Sequence, residues 1–266
     1  MLYLYDKIIK GGGEVAARDR LSLIKQLLIN EKRVSVSNLS EQFSVTEETI
    51  RRDLDKLESE GILTRTYGGA VLNSEETVSN IPFYKRAEHN VEAKQAIALK
   101  VREVLGPIHT ISADASSTVM ESLKLLKDRD DMTIVTNSTE ALRELMVSEV
   151  NVLSTGGVFN KRTLSMQGDL TERAIETYNV EMAVISCKGI DKTVGATDTN
   201  EGEARIKKHM ISQASEVMLL IDSEKFCKKG FVHLANIDQI HHVVTDKKPS
   251  DDWISFFKEN DIQLHY

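Results

Sequence analysis

Aspartate, serine and threonine crowd into one short segment, Asp114-Ala115-Ser116-Ser117-Thr118. That mixture suits a phosphorylated ligand. Hydroxyls and backbone N–H groups at a helix start make a pocket for an anion, and the adjacent carboxylate accepts hydrogen bonds from sugar hydroxyls. Three further segments carry comparable chemistry. Thr136-Asn137-Ser138 offers an amide flanked by hydroxyls. Gly156-Gly157 is a turn that lets backbone approach a ligand. Asp222-Ser223-Glu224-Lys225-Phe226 sets a carboxylate and an ammonium at one edge. Three of the four have a plainer alternative: helix capping by Ser116 or Ser117, a simple turn at Gly156-Gly157, and an exposed ion pair at Asp222–Phe226. Glu203 and Lys207, four apart on an expected helix, suit a simple i,i+4 ion pair. A different chemistry belongs to Thr49-Ile50-Arg51-Arg52-Asp53-Leu54. Guanidinium groups read guanine edges or hold phosphates. The alternative is a solvated Arg-Arg pair, with Asp53 and Asp55 as its partners, in a protein–protein module.

The elements that must position these residues follow from periodicity. Strands are expected at Thr110–Ala113, Thr133–Thr136, Asn151–Ser154, Met182–Ser186, Val217–Ile221 and His242–Thr245. Helices are expected at Val91–Leu105, 117–127, 139–147, 169–178, 203–214 and 251–259. Such alternation implies an α/β domain with a mainly parallel sheet covered by helices. Ligands of such sheets bind at the carboxyl ends of strands, where the four polar segments fall.

Upstream, Leu21, Ile24, Leu27 and Leu28 mark a helix over 18–31, and Val34-Ser35-Val36 is β-like. Ser37 is the expected cap of a helix from Asn38 to Phe43, and Ser44-Val45 a tight connection. Thr46 caps a third helix, with Glu47 and Glu48 in its first turn. Ile50, Leu54 and Leu57 face its core, and Gly61 stops it. Gly61-Ile62-Leu63-Thr64-Arg65-Thr66-Tyr67-Gly68-Gly69-Ala70 then reads as a hairpin with basic and aromatic residues. Two helices joined by a short turn, the second with basic groups outward, dock in a major groove, and the hairpin meets the backbone. Residues 18–72 thus read as a winged helix-turn-helix, with Ser35, Ser44, Thr46, Thr49, Arg51, Arg52, Lys56, Arg65, Thr66 and Tyr67 as candidate DNA contacts.

Leu39-Ser40-Glu41-Gln42-Phe43, Val45 through Leu54, Leu57-Glu58, Gly61 and Arg65 through Ala70 form one pattern of about fifty positions. It resembles the DNA-binding module of the DeoR family of bacterial transcription regulators. The resemblance implies that the third helix enters the major groove and that the Arg65–Ala70 wing contacts the backbone. Tyr67 stands where the family often has His. The downstream segments resemble, in order, the DeoR sensor domain, which is similar in fold to ribose-5-phosphate isomerase. That likeness implies a phosphate loop at Asp114, Ser116, Ser117 and Thr118. It also implies a sugar site lined by Asn137, Gly156, Gly157, Lys188, Glu203, Asp222 and Lys225. Ser116 stands where the family often has Gly.

Composition narrows the function classes. At 266 residues the chain fits two domains. The expected division is a flexible lead at 1–17 containing Gly11-Gly12-Gly13, the DNA-binding module at 18–72, a linker at 73–90 and the sensor and oligomerisation domain at 91–266. Net charge is −7, yet residues 18–72 hold nine Lys/Arg and nine Asp/Glu. A neutral DNA-binding module gains from being held in several copies, so a homo-oligomer, dimer or tetramer, is expected. Cys187 and Cys227 form no CxxC pair, and Cys187 reads as core. Adjacent His241 and His242 point to opposite strand faces and make no metal pair. Trp253, Phe256 and Phe257 read as packing. No apolar run suggests a membrane span and no secretion signal is visible, so a cytoplasmic protein is expected, without metal or cofactor. The reading that unites these features is a repressor of a carbohydrate-metabolism operon. Its affinity for double-stranded operator DNA would be set by a phosphorylated sugar. The alternative is a sugar-phosphate isomerase or deaminase fused to a DNA-binding module.

Overall fold

The apolar stripe Ile50, Leu54, Leu57 is fully buried, and it lays its helix against a core that Ile24, Leu28, Leu39, Phe43 and Leu63 complete. The computed structural model describes residues 17–31, 33–59, 63–72 and 82–266. In chain order the N-terminal unit contains α1 (Ala17–Glu31), β1 (Arg33–Ser35), α2 (Val36–Phe43), α3 (Glu47–Ser59), β2 (Leu63–Thr66) and β3 (Gly69–Leu72). The strands form one antiparallel sheet in the order β1-β3-β2. Gly69 permits it: a Cβ there would sit 2.1 Å from the Val34 carbonyl oxygen.

Three local expectations change. The cap of α2 is Ser35, not Ser37: its hydroxyl accepts from the Asn38 N–H at 3.2 Å, and the helix begins two residues earlier, at Val36. Asp53 does not pair with Arg51 or Arg52. It lies 7% exposed and accepts from Arg20 Nε at 2.5 Å, because successive helix positions are rotated by about 100° and residue 53 turns inward beside Leu54. Asp55 pairs with Arg65 instead. Thr46 does cap α3, accepting from the Thr49 N–H at 3.3 Å. Gly61 and the Gly11-Gly12-Gly13 lead lie outside the described residues.

The chain divides into two compact units, Met1–Val78 and Ser79–Tyr266. In the second, α4 (Phe83–Glu88) and α5 (Val91–Val104) precede β4 (Thr110–Ala113), α6 (Ser117–Leu123), β5 (Thr133–Thr136), α7 (Thr139–Glu144), β6 (Asn151–Ser154), β7 (Val158–Asn160), β8 (Ser165–Gln167) and α8 (Asp169–Glu176). There follow β9 (Val180–Ser186), β10 (Gly189–Asp191), β11 (Gly195–Asp198), α9 (Glu201–Ser212), β12 (Ala214–Leu220), β13 (Val232–Ala235), β14 (His242–Val244), α10 (Asp251–Glu259) and β15 (Gln263–His265). Seven strands make a parallel sheet in the order β15-β14-β12-β9-β4-β5-β6. Alternate residues feed opposite layers. On β9, Met182 and Val184 join the core under α5 and α6, whereas Ala183 and Ile185 join the core under α9 and α10. Burial on both faces explains why these strands read as near-continuous apolar runs.

The expected linker over 73–90 is corrected in its second half. Residues 83–88 are helical, and Phe83 is 4% exposed within the main core. One buried aromatic amid charged neighbours is too weak a pattern to read as a helix. The short strands of the β7–β8 hairpin and of a second antiparallel sheet, β10-β11-β13, were also not legible, since three or four residues carry no usable period. Among the described residues no helix is long and apolar enough to cross a membrane, and no three His, Cys, Asp or Glu side chains are grouped to hold a metal ion.

Candidate functional site

Strand order decides where a crevice can form. The chain runs outward from β4 through β5 to β6, then returns to β9 and runs the other way through β12 to β14 and β15. The reversal falls between β4 and β9, and outside their carboxyl ends the two sets of loops diverge. Asp114 follows β4, and Cys187 and Lys188 follow β9. Asn137 follows β5 and Asp222 lies just past β12. The fold therefore brings four of the predicted segments to one edge.

Lys207 on α9 is the hub of that edge. Its ammonium donates to Asp198 Oδ2 at 2.6 Å and to the Ser186 carbonyl at 2.8 Å, and lies 3.1 Å from Asp114 Oδ2. Burial alone pushes its pKa down, but the carboxylates of Asp114 and Asp198 outweigh that and hold it well above the ordinary lysine value. Asp198 is pulled below the usual carboxylate range by Lys207, against its own desolvation. Lys207 is thus fixed as a cation. The i,i+4 pair with Glu203 expected from spacing is not made. Glu203 faces Arg86 at 3.6 Å instead.

Lys188 has the opposite electrostatics. Half-buried, it is desolvated and repelled by Arg86 and Lys225, which brings its pKa down to about 8. No carboxylate among the described residues lies within ion-pair distance of it. Lys225 pairs with Asp222 at 3.3 Å and donates to Ser186 Oγ at 3.2 Å, so this pair is largely buried rather than exposed. Two acceptors in the crevice are buried without a hydrogen-bond partner in the protein: Asp114 Oδ1 and Asn137 Oδ1. Asn137 is held in place by its own Nδ2, which donates to the Met166 carbonyl at 3.0 Å. Asp114, Asn137, Glu203, Ile206 and Lys207 enclose only about 10 Å³ of free space, room for about one water. A sugar-sized ligand needs these walls to part.

The remaining predicted residues have local duties. Ser116 caps α6, its hydroxyl accepting from the Val119 N–H at 3.3 Å, while Ser117 and Thr118 are buried in the first turn. Gly157, at φ +118°, is small for the sake of α8: a Cβ would lie 2.0 Å from Thr171 Oγ1. Gly156, at φ +64°, accepts from Thr171 Oγ1 at 2.7 Å. The close approach read from Gly156-Gly157 is therefore made to the chain itself. Sequence reasoning missed Arg86, Lys94, Asp198 and Ser186. Lys94 Nζ donates to the carbonyls of Arg86, Ala87 and His89 and closes the end of α4; burial, with repulsion from Lys225, lowers its pKa to about 8.

In the N-terminal unit, Thr49, Arg52 and Lys56 fall at i, i+3 and i+7 on α3 and share a face. Arg52 is 80% exposed, with Glu48 at 3.7 Å, whereas Arg51 donates to Glu47 at 2.6 Å. Arg65 is turned inward: it donates to the carbonyls of Arg51 and Gly69 and pairs with Asp55, tying the wing to α3. Ser44, in the left-handed region at φ 52°, and Thr46 are exposed in the turn between the helices. Thr66 and Tyr67 are exposed at the wing tip, and Ser35 is half-buried beneath it.

The profile described as a DeoR-like helix-turn-helix domain matches residues 20–76, and that described as the DeoR C terminal sensor domain matches residues 89–247. The chain belongs to the DeoR family of transcriptional regulators. A Bacillus subtilis protein named as an uncharacterized HTH-type transcriptional regulator is 40% identical, over 86% of this chain and 88% of its own. The L-fucose operon activator of Haemophilus influenzae is 34% identical, over 91% and 97%. The glycerol-3-phosphate regulon repressor of Escherichia coli is 30% identical, over 91% and 95%. Among solved structures, a ribose 5-phosphate isomerase from Methanocaldococcus jannaschii aligns at 17% identity and TM-score 0.37, covering 51% of this chain and 54% of that one. DeoR-family membership makes this chain a DNA-binding regulator with a sensor domain, not an enzyme.

Proposed function

We propose that this regulator represses a carbohydrate-metabolism operon in the cytoplasm, as a homo-oligomer. A phosphorylated sugar, bound where β4 and β9 diverge, would weaken its hold on operator DNA. One observation carries the ligand class: two orphaned buried acceptors, Asp114 Oδ1 and Asn137 Oδ1, sit at the same sheet edge as the unneutralised ammonium of Lys188. Acceptors of that kind suit sugar hydroxyls, and an ammonium without a carboxylate suits a phosphate. The loop Ser116-Ser117-Thr118 and the pair Asp222–Lys225 extend the same surface. Relatives named for L-fucose and glycerol-3-phosphate regulation support a carbohydrate operon, and they include both an activator and a repressor. In the N-terminal unit, Thr49, Arg52 and Lys56 would enter the major groove, with Ser44, Thr46 and the Thr66-Tyr67 tip on the flanking backbone. Control then requires that the ligand favour the state with lower operator affinity. Isomerase-like proton transfer is the weaker reading, since Lys207, charged and held by Asp114 and Asp198, is no base.

Two measurements test this proposal. An electrophoretic shift on DNA upstream of the protein's own operon should be weakened by Arg52→Ala, by about tenfold or more. Calorimetry with hexose and pentose phosphates should show binding that Lys188→Ala abolishes. A wild-type protein that binds none of them ends the sugar-phosphate reading and leaves the DNA assignment standing.

A further inference from the structure

The helix α4 stands ahead of the sheet, in a stretch that reads as a connector. It is nevertheless held by four separate contacts. Phe83 is buried in the main core, and its N–H donates to the Arg162 carbonyl at 2.8 Å. Tyr84 donates its hydroxyl to Glu140 Oε1 at 3.2 Å. At the other end the Lys94 ammonium gathers three carbonyls. A helix fastened in this way presents its remaining side chains in a set direction, and Arg86 is one of them.

Arg86 is costly where it is. Its side chain is 9% exposed, and both Nε and Nη2 are buried with no hydrogen-bond partner in the protein. The nearest carboxylate, Glu203 Oε1, lies 3.6 Å from Nη2, close enough for attraction and too far for a hydrogen bond. Buried N–H donors of a charged group are nearly always satisfied, so two orphans on one guanidinium ask for a reason. Their identity supplies it. Nε and Nη2 form one lateral edge of the guanidinium, and that edge makes two parallel hydrogen bonds to the oxygens of a phosphate or carboxylate. Glu203, the neighbour of that edge, also walls the cavity with Asp114, Asn137 and Lys207.

We propose that Arg86 is an effector-binding residue, its Nε/Nη2 edge receiving two oxygens of an oxyanion on the ligand. The inference rests on reading the sheet crevice as an effector site. It adds a binding group from outside the sheet, on the first described element after the wing in chain order. The class it selects is a sugar carrying a phosphate or a carboxylate. Lys188 supplies a point charge and Arg86 the directional pair of donors. Glu203 attracts the guanidinium across 3.6 Å without hydrogen-bonding to its Nε/Nη2 edge.

The test is calorimetry on the full chain with three sets of probes: hexose and pentose phosphates, the matching aldonic acids, and inorganic phosphate alone. Arg86→Lys keeps the charge and removes the fork. The double variant Arg86→Met/Glu203→Gln removes both charges, so no buried ion is left without its partner, and its melting temperature without ligand should match that of the wild type. The probe that binds the wild type should bind the double variant about 10- to 100-fold more weakly, as loss of a charge-assisted pair implies, and Arg86→Lys to an intermediate degree. Preference for phosphates or for aldonic acids identifies the oxyanion. Binding within twofold of wild type by Arg86→Lys and by the double variant overturns the role of Arg86 and leaves the effector site intact. Failure of every probe on the wild-type protein sinks the effector reading and this inference with it.

Discussion

Lys188 and Lys207 are the same residue type at the same crevice, and their surroundings give them opposite characters. Lys207 faces two carboxylates and stays charged, whereas Lys188, desolvated by burial and repelled by Arg86 and Lys225, is lowered to about 8. The first serves as a rivet and the second is left with charge to offer. Anion binding needs Lys188 protonated, so affinity for a sugar phosphate should fall as pH rises through about 8, by about tenfold between pH 7 and pH 9. Linkage runs the other way for folding. The folded value lies below the ordinary 10.5, so the unfolded chain binds more protons in that window and stability rises with pH across it. Calorimetry across that pH range, with a urea melt at each point, checks both signs. A flat affinity would show that Lys188 does not touch the anion. Asp114 and Asn137 were legible because each lies directly beyond an apolar run, and Lys225 because it shares a strand-end segment with Asp222, whereas Lys188 was reached only through the family resemblance. Asp198 and Ser186 were not legible, because the first ends a strand of four residues and the second ends a strand otherwise read as core.

At the scale of the element, α3 shows how one helix divides its labour. Ile50, Leu54 and Leu57 anchor it, Arg52 is exposed, and Asp53 between them is buried against Arg20. Neighbouring substitutions should therefore fail differently. Arg52→Ala should change stability by no more than about 0.5 kcal/mol while weakening operator binding. Asp53→Ala takes a carboxylate from the buried Arg20 and should cost about 3–5 kcal/mol, losing DNA binding through unfolding of the module. Thermal melts by circular dichroism, read beside electrophoretic shifts, separate the two. Equal melting temperatures for both variants would mean the Arg20–Asp53 pair contributes little. The helix α4 carries the converse lesson. It is short and polar, and only Phe83 shows that it belongs to the core, so no periodicity within six residues reveals it.

At the scale of the whole molecule, the winged module over 18–72 balances nine basic against nine acidic residues, and the net charge of −7 lies in the rest of the chain. Affinity for a polyanion then depends on how many winged modules reach the operator together. Sedimentation of the full chain at micromolar concentration should give a dimer or tetramer, and half-sites separated by a whole number of helical turns should bind best. Operator binding of undiminished strength by a monomer would refute that expectation. The seven-stranded sheet has a matching logic, since its order reverses once and the reversal sets the place of the crevice.

By itself the sequence determined the alternation of strands and helices, the winged module and the polar segments at strand ends. Those properties are local: a period of two or of 3.6, a cap, a turn, a basic pair on one helix. Tertiary structure alone decided which charges meet. It gave Lys207 to Asp114 and Asp198 rather than to Glu203, turned Asp53 inward to Arg20, spent the small size of Gly157 on Thr171, and set Arg86, from an apparent connector, beside Glu203. The reason is that ionic partners and close approaches are chosen through space, by strand order and helix rotation, over separations that no window of sequence spans.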